Sequence, residues 1–129
     1  MTLNDEALIS IAVNALKNSY APYSRIHVAA SILGSNGKVY TGVNVENASY
    51  GLTICAERSA IVQMVSDGER KPVKIAVVTD LENPIPPCGA CRQFIAEFNP
   101  DAEIILHSAS SGKTVKTRLS ELFPNPFKL

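Results

Sequence analysis

The sequence has no surplus charge of either sign: lysine plus arginine and aspartate plus glutamate number 12 each, and the formal net charge is zero. A protein that works on phosphate backbones carries a basic excess, because phosphate contacts dominate such affinity, so nucleic acid is not an expected partner. No apolar run approaches the ~20 residues that span a bilayer, and no membrane is expected either. The opening "MTLNDEALIS" lacks the basic stretch and apolar core of a secretory signal. A fourth cysteine is also missing. Three thiols would leave a disulfide framework incomplete, which fits a reducing, cytoplasmic location. There is no internal repeat, low-complexity segment or linker. What remains is 129 residues, 46% apolar and 19% charged. That suffices for one core and a single domain over residues 1–129.

Apolar residues recur at helical spacing from Asn4 to Asn18, with Asn4 as N-cap, Asp5 and Glu6 at the positive helix end, and Pro22 forbidding continuation. "IHVAASIL" and "KVYTGVNV" flank "GSNG", which predicts a hairpin. Thr53 is the expected cap of a helix from Cys55 to about Ser66, with Ala60, Ile61, Met64 and Val65 inside and Gly68 closing it. "VKIAVVTD" reads as a central strand buried on both faces. "LENPIPP" reads as a stiff loop, residues 88–98 as a helix, "AEIILHS" as a strand, and "RLSELFP" as a short last helix. Four strands alternating with helices imply a mixed sheet with helices on both faces.

All three cysteines lie in "ICAERSAIVQM" and "PPCGACRQF". Cys88 and Cys91 form a C-x-x-C knuckle that can offer two sulfurs to one ion, and Cys55 supplies a third. Both segments begin helices, whose N–H groups favour thiolates. His27 and His107 sit in predicted strands without ligand spacing. Three protein ligands and an open fourth position describe a catalytic zinc, one per chain, since structural sites fill all four positions. Three thiolates leave such a site at net −1, so hydrogen-bond donors near the sulfurs are needed. Arg58 suits that role; Arg92 either shares it or pairs with a surface carboxylate such as Glu97. Glu57, two residues past Cys55, can point into the same cleft and act as general acid and base.

"CAER" followed by "PCGACRQ" resembles the cytidine deaminase family, the small zinc-dependent nucleoside deaminases. "APYS" (21–24), "GVNVENASYG" (42–51), "CAERSA" (55–60) and "LFPNPF" (122–127) follow in family order, so the resemblance runs nearly the whole chain. It implies an α/β/α sandwich around a five-stranded mixed sheet, with Cys55, Cys88 and Cys91 as zinc ligands. Metal-activated water would attack C4 of the base while Glu57 shuttles protons, turning cytidine and 2′-deoxycytidine into their uridine counterparts in pyrimidine salvage. Asn44 and Glu46 match residues that hold the sugar hydroxyls; as i and i+2 of a strand end they point the same way. Ala56 counts with the substrate-binding positions. Ala48 and Tyr50 match positions that reach a neighbouring subunit's site in tetrameric members, and Phe127 matches an aromatic stacking on the base across an interface. A homotetramer with shared sites is thus implied.

The chain departs from the family pattern at Ile26, where phenylalanine is usual beside sugar and base, and at Ala29, which stands in a glycine's place. Ile26 keeps open a cytosine-bearing antibiotic, such as blasticidin S, as substrate. A polynucleotide-editing deaminase would need a basic channel and usually a histidine at position 55. A closed structural zinc module would want four ligands, and a redox dithiol at Cys88 and Cys91 would leave Cys55 and Glu57 without a role.

Overall fold

The computed structural model describes residues 3–129. Helix α1 (Asp5–Ala15) begins where Asn4 accepts a hydrogen bond from the Ala7 N–H at 2.8 Å, and a 3-10 turn over Leu16–Asn18 finishes it. The hairpin follows as β1 (Val28–Gly34) and β2 (Val39–Val43), closed by Gly37 at φ 82°. Next come α2 (Ala56–Ser66), β3 (Pro72–Thr79), α3 (Gly89–Phe98) and β4 (Glu103–Ser108). The chain ends in β5 (Thr114–Arg118) and α4 (Leu119–Leu122). Two expectations need correction. The residue pattern pointed to four strands, and β5 is a fifth: an edge strand, mostly exposed, whose "TVKTR" has no apolar alternation. Thr53 does not cap α2; its Oγ1 accepts from the Asn47 N–H, and Cys55 itself is the N-cap.

The sheet order is β2-β1-β3-β4-β5, with β3 and β4 parallel and the other neighbouring pairs antiparallel. Because β1 opposes both β2 and β3, those two run the same way. Helix α2 is therefore a crossover from β2 to β3 over β1, and α3 is a crossover from β3 to β4. Both step in the same direction across the sheet. The strong preference for right-handed crossovers then puts both helices on one face with their N-termini at the same sheet end.

Alternation along the strands confirms that layering. Ala30, Ile32, Ile75, Val77, Ile104 and Leu106 form the larger core with Ala60, Ile61 and Met64 of α2 and Ile95 of α3. The intervening Ala29, Leu33, Ala76, Val78 and Ile105 meet Leu8 and Ala12 of α1 on the opposite face. There the buried Ser31 hydroxyl donates to the Leu8 carbonyl at 2.7 Å, so a polar atom between layers has its partner. The fold is the expected three-layer α/β/α sandwich around a five-stranded mixed sheet. Among the described residues, no helix is long and apolar enough to cross a membrane.

Gly42 fixes how close α2 comes. A Cβ there would lie 2.3 Å from the Ala60 nitrogen, 2.7 Å from the Ala56 oxygen and 2.8 Å from the Ser59 carbonyl carbon. All three are backbone atoms, which cannot turn aside as a side chain could. Gly42→Ala should therefore push the first turns of α2 off the sheet. We expect a loss of about 3 kcal/mol, a fall in melting temperature on the order of 10 °C, and weaker metal retention. A melting curve within 1–2 °C of the parent's, about the scatter of such scans, would contradict this packing.

Candidate metal centre and active site

Local pairing delivers each site segment. The residues after β2 run extended between two single-residue bridges: Val45 pairs with Tyr20 on one side and with Ile54 on the other. Val45 exchanges both backbone hydrogen bonds with Ile54, at 2.9 and 3.0 Å. That pairing holds Cys55 at the mouth of α2. Strand alternation then turns Val45 outward while Asn44 and Glu46 are buried.

On the other segment, Cys88 is the N-cap of α3, and its Sγ accepts from the Cys91 N–H at 3.4 Å. Two of the three cysteines are thus helix N-caps, from helices whose N-termini converge. The three Sγ atoms lie within 4.8 Å of one another, and those of Cys55 and Cys88 are 3.7 Å apart. Tetrahedral geometry with Zn–S bonds of ~2.3 Å needs sulfurs ~3.8 Å apart, so the trio fits one zinc ion. Neither histidine belongs to this group: His27 pairs through Nδ1 with the Ser19 hydroxyl, and His107 with the Thr114 hydroxyl.

The electrostatics favour a thiolate at Cys55. Hydrogen bonding from the Cys91 thiol, then from Arg58 and Cys88, pushes the Cys55 thiol down to about 5 against the effect of burial. Cys91 moves up, because Cys55 holds its proton and because it is buried. Arg58 reaches the Cys55 Sγ from Nη2 at 3.8 Å and the Thr53 carbonyl at 3.4 Å. Its Nε is buried with no partner among the described residues. Arg92 takes neither role foreseen for it. Its Nε donates to the Pro87 carbonyl at 2.7 Å and its Nη1 to the Leu122 carbonyl at 2.8 Å, bracing the backbone beside Cys88.

Glu57 is 4% exposed. Burial pushes its carboxyl up to about 7 and the Cys55 charge adds to that; its own backbone N–H, Cys91 and Arg58 oppose the rise. Glu57, Cys55 and Cys88 line one cleft of about 170 Å³ with Asn44, Ala56 and Thr53. Its apolar walls are Val28, Ile54, Val77, Ile85 and Pro86, which sequence reasoning did not single out. Only the proline-rich loop carried a signal for the last two.

The remaining site candidates divide. Asn44 donates from Nδ2 to the Ile26 carbonyl at 2.8 Å, and its Oδ1 accepts from the Val28 N–H and the Ser19 hydroxyl. Glu46 accepts from the Tyr23 and Ser24 N–H groups, at 3.0 and 3.1 Å, and from the Ser24 hydroxyl, which holds its carboxyl below the usual range. Both residues tie down the segment before β1. Ile26, Ala48, Tyr50 and Phe127 are exposed and lie outside the cleft lining of the single chain.

The sulfur geometry carries a direct test. Metal analysis should return ~1 zinc per chain in an all-cysteine protein environment. Cys55→Ala should lose metal and thermal stability together, because a ligand's binding free energy is also folding free energy. A zinc-free protein of unchanged stability would contradict the assignment.

Comparison with known proteins agrees with this centre. A family model described as the cytidine and deoxycytidylate deaminase zinc-binding region matches residues 2–107. The chain is 46% identical to a cytidine deaminase of Halalkalibacterium halodurans, over 97% of this chain and 95% of that one. It is 30% identical to a blasticidin-S deaminase of Bacillus cereus, over 93% and 89% of the two chains. The crystal structure of cytidine deaminase from Burkholderia pseudomallei superimposes with a TM-score of 0.92 at 42% identity, covering 97% of this chain and 100% of that one. With its fold, its three-cysteine centre and these relatives in agreement, the chain belongs to the cytidine and deoxycytidylate deaminase family of zinc enzymes.

Proposed function

We propose that this protein hydrolyses cytidine and 2′-deoxycytidine to uridine and 2′-deoxyuridine with release of ammonia, recycling pyrimidine nucleosides in the cytoplasm. The observation that carries the reading is the buried Glu57 carboxyl in the same small cleft as Cys55 and Cys88. When bound by the three cysteines, zinc supplies Lewis acidity that brings a water molecule near neutral ionisation. Glu57 takes a proton from the attacking water and gives it to N3 of the base as the oxygen bonds to C4. It then carries the second proton to the exocyclic nitrogen, the C4–N bond breaks, and ammonia leaves behind a C4 carbonyl. A carboxyl titrating near 7 is suited to move protons both ways. Arg58, beside Cys55, offsets the charge of the sulfurs.

Asn44 and Glu46 retain capacity for a sugar. The Asn44 amide has two N–H groups and gives one to Ile26, while Glu46 fills three of about four acceptor sites. A ribose hydroxyl can take what is left on each. Ile26 offers an aliphatic wall where an aromatic ring would impose a stacking geometry.

The active form is read as a homotetramer. At about 170 Å³ the cleft is smaller than the ≈300 Å³ at the low end of ordinary small-molecule sites. Tyr23, Tyr50, Leu52, Ile54 and Phe127 expose apolar surface on the segments beside it and at the chain end. A second copy contributing Ala48, Tyr50 and Phe127 would both cover that surface and complete the site.

Glu57→Gln keeps the shape and removes the proton carrier. Turnover should fall by ~10²–10⁴ while zinc content and melting temperature hold; near-normal turnover would end the acid–base assignment. In a panel of cytidine, 2′-deoxycytidine, free cytosine and blasticidin S, both nucleosides should be turned over and free cytosine should not. Equal efficiency on free cytosine would remove Asn44 and Glu46 from substrate binding and leave the metal chemistry standing. Sedimentation at assay concentration should show a tetramer, and an active monomer would refute the shared site.

A further inference from the structure

We propose that Gln93 is the positioning residue for Phe127, and that with Arg92 it latches the C-terminal tail to the cysteine loop. The Gln93 side chain makes two hydrogen bonds with one backbone unit. Its Nε2 donates to the Phe127 carbonyl at 3.1 Å, and its Oε1 accepts from the Phe127 N–H at 3.0 Å. A primary amide carries a donor and an acceptor side by side, so it can answer a peptide's N–H and C=O together, as a neighbouring strand would. Glutamate could accept from the N–H but would repel the carbonyl, and arginine or lysine could only donate.

The residue before Gln93 supplies the second anchor. Arg92 donates to the Leu122 carbonyl with one end of its guanidinium and to the Pro87 carbonyl with the other. The tail is thus held at residues 122 and 127, and Pro124 and Pro126 stiffen the chain between those points. The anchoring side chains are the first and second residues after Cys91, and Pro87 directly precedes Cys88. The place of Phe127 is therefore referred to the same loop and helix start that carry two of the sulfurs. Phe127 is 70% exposed as a residue although its backbone is doubly bonded, so the latch fixes the main chain without burying the side chain. The consequence for substrate rests on the reading above, in which Phe127 completes the nucleoside site of a second copy.

The test uses the zinc-loaded, full-length protein in four forms: parent, Gln93→Ala, Phe127→Ala and the double variant. Hydrogen exchange at the Phe127 amide should speed up about tenfold in Gln93→Ala, with zinc content unchanged. Gln93→Glu, which keeps the acceptor alone, should fall between parent and Gln93→Ala. The KM for cytidine should rise severalfold in Gln93→Ala and in Phe127→Ala with kcat nearly kept. The double variant should be no worse than Phe127→Ala, because the latch acts only through that ring. Effects on KM that multiply in the double variant would overturn the proposal, as would unchanged exchange in Gln93→Ala. Absence of turnover on cytidine by the parent would instead sink the deaminase reading, while the exchange measurement still reports on the latch.

Discussion

Three sulfurs within 4.8 Å of one another are the constraint on which the rest of this structure depends. Ionised together they repel, so each must be brought in by a rigid element and met by positive potential. The chain does both with one device: Cys55 and Cys88 each occupy the N-cap of a helix, where unpaired N–H groups and the helix dipole favour negative charge. The convergence of those two helix starts follows from strand order, since both crossovers step the same way across a sheet containing one parallel neighbour pair. Arg58, in the first turn of α2, adds a guanidinium beside the Cys55 sulfur, a charged partner that the helix backbone does not supply.

Other polar residues near the centre serve the fold. Asn44 and Glu46 fasten residues 19–28, a stretch with little regular structure of its own, through hydrogen bonds to Ser19, Tyr23, Ser24, Ile26 and Val28. Arg25, in the same stretch, takes a φ of 60°, a conformation that costs a side-chain-bearing residue energy and needs support from its surroundings. The Glu46 carboxylate, accepting from the two amides just before Arg25, provides it. Replacing either Asn44 or Glu46 would therefore loosen that stretch, whose end at Val28 forms part of the cleft wall together with Asn44.

Much of this was legible because the responsible residues are chemically specific or strongly periodic. Cysteine at C-x-x-C spacing, a third cysteine beside a glutamate, and continuous apolar runs such as "VKIAVVTD" have few alternative explanations. The parts that escaped depend on partners distant in sequence. Strand β5 is polar because only its pairing with β4, and no buried face, makes it a strand. Thr53 looked like a cap, yet its hydroxyl meets an amide six residues earlier. The sequence offers Arg92 either the sulfurs or a surface carboxylate, but its targets are carbonyls at 87 and 122, and nothing local marks a carbonyl 30 residues away.

The link from packing to chemistry runs through Gly42. Because that residue lacks a Cβ, the backbone of Ala56, Ser59 and Ala60 can rest directly on β2. Ala56 and Ala60 are themselves small and fully buried, so the first turn of α2 approaches the sheet with no bulky side chain between. Glu57 shares that turn and is drawn inward with it, and loss of water around its carboxyl is the largest cause of its raised pKa. A glutamate in the first turn of an exposed helix would stay ionised and could only accept a proton. Pressed against this sheet, the same residue titrates near neutrality and can both accept and return one. A missing methyl group on an adjacent strand thus helps set the acid–base character of the carboxyl in the cleft.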